Sequence, residues 1–561
     1  MQKINLYLTL FVVILAFGAC KQEKYDILIK NGNIVDGTGA PAYRSDIAIR
    51  DGRIVKISPD LAEPANEIIF ADDLTIAPGF IDMLSWASGP IVYDGEVQSV
   101  VKQGITTAIF GEGWSMGPVN DRVRQAMYNF WPEYGIRYEW ETLAGYLKFL
   151  ENRGISINVA SFVGATTVRL YVLGHEDRTA TPEELAQMRQ LVEKEMIAGA
   201  FGVASSLVYT PAFYADTKEL IELARVAANH GGIYASHIRG EAEGLFTALD
   251  EFIEICEQAD IPGEIYHFKA AGKANWPKLD EAIAKIETAR ENGLDITADI
   301  YPYTAGATGL DAMIPPWAKE GGDSVLVRRL KKPEIRSNIK KEILNNTEGW
   351  DNFYQMAGGG ENILVSYVSP ARKELQGKYI AEIADLQGKD ELEAVFDLLI
   401  LENGGGGGIY FMMSEENVRK KMQLPWISFC TDEDAYKPEG LMGSRNPHPR
   451  AYGTFPRILG HYVREENIIS LEEAIRKMTS LPAARLGLSD RGIISRDMMA
   501  DLVIFDPARI IDRATYTNPH QFPEGISYVL VNGKVVIKNG KHTGEKPGKA
   551  IFKKGSAAEK P

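Results

Sequence analysis

The sequence predicts an α/β protein: a TIM (β/α)8 barrel with a small β-sandwich domain formed by both termini and an inserted subdomain between barrel strands seven and eight. Three observations predict it. Eight apolar, strand-like runs alternate with amphipathic stretches through residues 76–490, as parallel strands joined by crossover helices do. Short alternating strands separated by glycine-containing turns flank that region on both sides. The gap before the last apolar run is too long for one crossover, which places an insert at 316–424.

Taken in order, the chain opens with Met1-Gln2-Lys3, an apolar run from Leu6 to Phe17, and Gly18-Ala19-Cys20. A short basic start, an apolar stretch and small residues at the cut are the plan of a secretory signal peptide. The cysteine after the small pair resembles the lipobox of bacterial lipoproteins. The expectation is a lipoprotein signal peptide over 1–20, a lipid anchor on Cys20, and an exported body in the periplasm or at the membrane. An ordinary signal peptide or uncleaved anchor with an incidental cysteine is the alternative. Residues 25–75 and 491–555 form the expected composite β-domain. Its turn signals are Asn31-Gly32-Asn33, Asp51-Gly52 and Asn532-Gly533.

The eight barrel runs are 76–84, 105–111, 155–164, 201–207, 233–238, 264–270, 295–303 and 426–432. Helices are expected over 182–198, with Thr181 as N-cap, and over 217–230. The insert reads as a subdomain or a lid over the barrel mouth. Its five glycines, Gly404 to Gly408, read as a flexible loop, a hinge or a linker.

A chain of 561 residues exceeds the size at which single cores stop growing, so a large domain with accessories is expected. Hydrophobic content of 45% and charged content of 24% are those of an ordinary soluble enzyme body. The net charge of -15 leaves no basic stripe for a phosphate backbone and argues against nucleic acid as a partner. Three cysteines cannot make a disulfide framework.

Barrel enzymes carry their chemistry at the C-terminal ends of the strands. Strand five ends in Ser236-His237-Ile238, and strand six contains Tyr266-His267-Phe268. Two imidazoles at adjacent strand ends can converge on one ion. Either alone is more often a core histidine, and the chain has only eight. Strand two ends in Gly111-Glu112-Gly113, where small neighbours leave room for a carboxylate ligand; pairing with a nearby Arg or Lys is the competing use. Strand eight ends in Thr431-Asp432. A carboxylate there can take a proton from a metal-activated water and hand it to a leaving amine; an exposed acidic loop with Glu433 and Asp434 is the alternative.

Ordered segments along the chain resemble the amidohydrolase superfamily and, within it, the N-acyl-D-amino-acid deacylases. They include Ala77-Pro78-Gly79-Phe80-Ile81-Asp82, Ala235-Ser236-His237-Ile238-Arg239, His267-Phe268-Lys269-Ala270-Ala271-Gly272, Ala298-Asp299-Ile300-Tyr301-Pro302-Tyr303 and His448-Pro449-Arg450-Ala451-Tyr452-Gly453. The resemblance implies metal-dependent hydrolysis of N-acyl-D-amino acids to a carboxylate and a D-amino acid. It implies a zinc ion on Glu112, His237 and His267, with Asp432 as general base and acid. Lys269 and Tyr301 are then expected to hold the substrate, and Arg450 to add a bidentate carboxylate contact. The family's strand-one His-x-His falls on Leu84-Ser85-Trp86, so one zinc per chain is expected; where its strand two usually carries cysteine, Glu112 occupies the nearest place after a one-residue gap. Trp86 is left to line an acyl pocket or to pack under the barrel mouth. Two other readings stay open: a hydantoinase-, dihydroorotase- or dipeptidase-like hydrolase, and a lipid-anchored binding protein on a decayed barrel.

Overall fold

The computed structural model describes residues 24–131, 134–346 and 348–557. The expected signal peptide and Cys20 lie outside the described residues. Barrel strands one to eight are Phe80–Asp82, Ile105–Phe110, Asn158–Ser161, Gly202–Ser206, Ile233–His237, Gly263–Ile265, Ile296–Ile300 and Ile427–Phe429. All six residues of strand two, Ile-Thr-Thr-Ala-Ile-Phe, are buried. Such a run has one face toward the barrel interior and the other against helices, which is why it shows no polar alternation.

Parallel ladders join strands one to three and strands four to eight. Strands three and four meet through the Val163–Gly164 extension, where Val163 pairs with Val203. Between strands eight and one, single bonds replace a ladder: the Asp432 N–H donates to the Leu84 carbonyl at 2.8 Å and the Trp86 N–H to Glu433 O at 3.0 Å. The buried Asp82 carboxylate adds to that seam by accepting from the backbone N–H and hydroxyl of Thr431 at 2.8 and 2.5 Å. Burial outweighs these bonds and pushes the Asp82 carboxyl up to about 7. The closure therefore fixes the backbone on both sides of the Asp432 position.

The crossover helices begin where their caps predict. Pro182–Ile197 starts on a Thr181–Glu184 capping box with proline in its first turn, and buries Met188, Val192 and Met196. Thr217–Asn229 is capped by Asp216, whose side chain accepts from the Glu219 N–H.

The two ends of the chain build one nine-stranded sheet. Its seam is the antiparallel pairing of Thr75–Pro78 with Leu502–Phe505, and its core includes Ile29, Ile47, Ile76, Leu502 and Leu530. Asp51-Gly52 and Asn532-Gly533 turn tight hairpins with positive φ at both residues. Asn31-Gly32-Asn33 does not turn. It lies inside the strand Tyr25–Ile34, where the register shifts between Ile29 and Gly32 and Asn31 sits at φ 63°, a β-bulge. A Cβ on Gly32 would collide with the Ile76 side chain, so glycine serves close packing there. The run 76–84 likewise divides. Thr75–Pro78 joins the terminal sheet and Phe80–Asp82 the barrel, with a break at Gly79, where a Cβ would strike Thr106.

Between strands seven and eight lies a subdomain with a three-stranded antiparallel sheet. Gly407–Phe411 is central, flanked by Ala305–Gly309 and Ile363–Tyr367. The sheet starts at Ala305, ahead of the expected boundary at 316; Ala-Gly-Ala-Thr-Gly carries almost none of the branched residues that announce a strand. The glycine run is not a plain linker. Gly404 and Gly406 turn at φ 92° and 102°, whereas Gly407 and Gly408 pair on both sides in the central strand. A Cβ on Gly407 would lie 2.5 Å from Ser366 Oγ, and one on Gly408 3.1 Å from the Tyr410 ring.

Candidate active site

Glu112 follows strand two between two glycines with positive φ, 112° at Gly111 and 64° at Gly113. Side chains would not fit at either: a Cβ at Gly111 would lie 2.5 Å from the Phe162 carbonyl, and one at Gly113 2.7 Å from Ser206 Cβ. This tight turn swings Glu112 over the barrel mouth. His237 is the last residue of strand five. His267 lies just beyond strand six at φ 35°, held there by its N–H, which donates to Asp299 Oδ1 at 2.6 Å. Asp432 follows strand eight at φ 50°. Two non-glycine residues in the left-handed region, at the ends of strands six and eight on either side of strand seven, mark backbone strain stored at the barrel mouth.

These turns bring three donors together. Glu112 Oε1 lies 3.0 Å from His237 Nδ1 and 3.3 Å from His267 Nε2. One ligand atom from each residue falls within 4.8 Å of the others, and all three residues are buried. Burial favours a neutral Glu112, yet hydrogen bonds from the two imidazoles hold its carboxyl well below the usual carboxylate range. Burial also works against a charged His237, but the Glu241 and Glu112 carboxylates raise its pKa to about 9. The donor set fits a divalent ion by its spacing: bonds of about 2.0–2.2 Å in a tetrahedron put neighbouring ligand atoms about 3.3 Å apart. Two nitrogens and one oxygen suit zinc and leave a position open for a reacting group.

The other oxygen of the carboxylate is not open. Trp86 Nε1 donates to Glu112 Oε2 at 2.8 Å. Trp86 therefore neither packs beneath the mouth nor serves only as an apolar wall.

Glu241 is a functional residue that strand-end reasoning passes over. It lies in the loop after strand five, 2% exposed, with its backbone N–H donating to Asp351 Oδ2 at 2.7 Å. Its carboxylate reaches Lys269 Nζ at 2.6 Å, His267 Nδ1 at 3.1 Å and His237 Nε2 at 3.5 Å, facing the outer nitrogens of both imidazoles. Burial opposes its charge, but Lys269 and the two histidines keep it well below the carboxylate range. A glutamate four residues after His237 was the only signal for it in the sequence.

Lys269 and Tyr301 both reach the cavity. Lys269 Nζ lies 2.6 Å from Glu241 and 2.7 Å from His267 Nδ1, and 5.9 Å from the centre of the Tyr301 ring. Burial raises the Tyr301 phenol well above its ordinary value, so it remains a donor at neutral pH. Arg450, expected to contact the substrate carboxylate, lines the same cavity and is engaged there by two carboxylates. Its Nη1 donates to Asp432 Oδ2 at 2.7 Å and its Nε to Glu433 Oε2 at 3.2 Å. Its guanidinium carbon stands 4.5 Å from the Tyr301 ring centre. Arg450 is 3% exposed; a buried cation at the start of the Arg450–Arg457 helix is spent on the carboxylates beside it. Burial pushes the Asp432 carboxyl up, against the pull of Arg450. Two more groups face the cavity without a sequence signal: Tyr209, edge-on to His237 at 5.4 Å, and Arg445, stacked over Tyr367 at 4.0 Å. The cavity above these groups measures about 1590 Å³ and is bordered by the insert's glycine strand.

What this barrel and its mouth define is a class, the amidohydrolases. The amidohydrolase family pattern matches residues 364–537. The D-aminoacylase of Alcaligenes xylosoxydans xylosoxydans is 33% identical over 530 residues, 94% of this chain and 98% of its own. The N-acyl-D-glutamate deacylase of Bordetella bronchiseptica, solved with zinc and a phosphonate mimic of the tetrahedral intermediate, superposes with a TM-score of 0.79 at 31% identity, covering 94% of this chain and all of that one. A D-aminoacylase with a binuclear metal centre, activated by one metal and attenuated by a second, superposes with a TM-score of 0.80 at 31% identity and the same coverage. The chain belongs to the D-aminoacylase family of amidohydrolase enzymes.

Proposed function

We propose that this chain hydrolyses the amide bond of N-acyl-D-amino acids, releasing a carboxylate and a D-amino acid, with one zinc ion on Glu112, His237 and His267. The observation that carries the reading is the convergence of those three donors, with Asp432 on the same cavity wall. When bound, the ion supplies Lewis acidity: it polarises the scissile carbonyl and brings the pKa of an attacking water toward about 7. Asp432 accepts the proton of that water on Oδ1, because Arg450 occupies Oδ2. It then delivers the proton to the leaving amine, which departs neutral. Arg450 keeps the Asp432 carboxylate ionised and oriented. Glu241 faces the outer ring nitrogens and fixes the rings, the task that outer carboxylates perform for histidine ligands. Lys269 and the Tyr301 hydroxyl orient the substrate's carboxylate and acyl group. A single ion is favoured by Leu84 and Trp86, neither of which can ligate zinc, at the two strand-one positions.

The test is turnover of a panel of N-acetyl-D- and N-acetyl-L-amino acids by purified protein whose metal is assayed in parallel. D-selective release of the free amino acid with about one zinc per chain is expected. Turnover confined to L-substrates or cyclic amides would sink the substrate assignment.

The N-terminal sequence adds an exported lipoprotein to the proposal, anchored through lipid on Cys20 in the periplasm or at the membrane. Mass spectrometry of the membrane fraction should find acylated Cys20 at the mature N-terminus, and Cys20→Ser should release the protein from that fraction. A mature chain that begins elsewhere would contradict it.

A further inference from the structure

Trp86 makes a contact that the metal reading alone does not require. Its indole Nε1 holds Glu112 Oε2 at 2.8 Å, while Oε1 faces His237 and His267. A carboxylate has two oxygens to share between ions; here a neutral N–H donor already engages the second oxygen and stands on that side of it. The chain around Trp86 is pinned. Its own N–H donates to Glu433 O at 3.0 Å, and the Leu84 carbonyl accepts from the Asp432 N–H at 2.8 Å. Leu84 is 1% exposed within the apolar core. These backbone bonds fix the Trp86 Cα against the Asp432 loop, and from there the indole reaches Glu112.

We propose that Trp86 is a positioning residue that stands in for a second metal ion: it fixes Glu112 as a one-oxygen ligand and closes the site at a single ion. This rests on the reading of Glu112, His237 and His267 as the metal site. It carries a regulatory consequence. The similar D-aminoacylase is attenuated by its second metal, and a site closed by Trp86 has nowhere to take that ion. Turnover of this chain is therefore insensitive to excess zinc. The Trp86–Glu112 bond also couples an indole to the metal, so binding of the ion changes tryptophan emission.

The experiment is a zinc titration of metal-free wild-type protein, followed by calorimetry and tryptophan fluorescence, with the Trp86→Phe and Trp86→His variants beside it. Wild type is expected to bind one zinc per chain, to change emission in that step, and to keep its bound zinc and turnover unchanged in excess zinc. Trp86→Phe, which lacks the N–H, is expected to bind zinc about 10- to 100-fold more weakly, the usual cost of losing an outer partner of a ligand. Its emission change should also be smaller than that of wild type, with Trp114 left beside the site. Trp86→His should admit a second zinc, with turnover falling as that site fills. A second zinc on the wild type would overturn the proposal without any variant having to fold. So would an unchanged zinc affinity and an unchanged emission response in a folded Trp86→Phe. Absence of zinc binding to the wild type would instead overturn the metal-site reading beneath it, so the two failures are distinct.

Discussion

Replacing Arg450 by methionine separates two roles for this arginine. The side chain keeps the apolar stem but loses the guanidinium, with its charge and the 2.7 Å bond to Asp432 Oδ2. Both partners are nearly enclosed, at 3% and 10% side-chain exposure, so the attraction is not screened as a surface pair would be. Two unit charges about 4 Å apart attract by about 4 kcal/mol at an effective dielectric of about 20. Leaving one partner of a buried pair uncompensated typically costs about 3–5 kcal/mol. The protein can avoid that cost by protonating Asp432, whose carboxyl burial already pushes up, and a protonated carboxyl cannot accept a proton from water. A positioned general base is worth about 10²–10⁴ in rate, and Arg450→Met forfeits a large part of it near neutrality. The expected result is a fall in kcat of about 10²-fold or more at pH 7 with little change in KM. The acid limb of the kcat/KM profile should move to higher pH, so that part of the loss is recovered in alkali. Arg450→Lys should fall between the two. A variant with unchanged kcat and a raised KM would refute the reasoning, since that is the signature of lost substrate binding.

Two further changes test the local arguments. Gly113→Ala places a Cβ 2.7 Å from Ser206 Cβ in a residue at φ 64°; it should destabilise the fold by more than about 1 kcal/mol and weaken zinc binding by displacing Glu112, and unchanged thermal stability and zinc affinity would refute the turn argument. Glu195 is 1% exposed and accepts from the Leu143 N–H at 3.0 Å, and burial pushes its carboxyl up from 4.5 to about 7. The folded state thus binds this proton more tightly than the unfolded chain, and stability is lost as pH rises from about 4.5 through 7. Glu195→Gln should remove that loss, by up to about 3 kcal/mol, so its gain in Tm should be clear at pH 8 and absent near pH 4; equal shifts at both would contradict the assignment.

The barrel was legible because its strands are buried on both faces and read as continuous apolar runs, and because His237 and His267 stand at the ends of two of them. Glu112 and Asp432 were legible by position alone. What could not be read depends on through-space geometry. Nothing in the order of residues shows that Glu241 turns back onto both imidazoles, that Arg450 meets Asp432, or that the Trp86 indole ends on Glu112. The positive φ of His267 and Asp432 is imposed by tertiary bonds to Asp299 and Leu84, not by local propensity. Glycine misleads twice in the same direction. Gly32 reads as a turn but packs inside a bulged strand, and Gly407 and Gly408 read as a linker but occupy a central strand, where missing side chains admit their neighbours.

The most direct test of the account is single-turnover and steady-state deacylation of an N-acetyl-D-amino acid by Asp432→Asn carrying one zinc per chain. The amide keeps the shape and the contact with Arg450 but cannot carry the proton. The account predicts a fall in kcat of about 10²–10⁴-fold with bound zinc and KM little changed. Turnover equal to wild type in the zinc-loaded variant would contradict it, whatever the substrate.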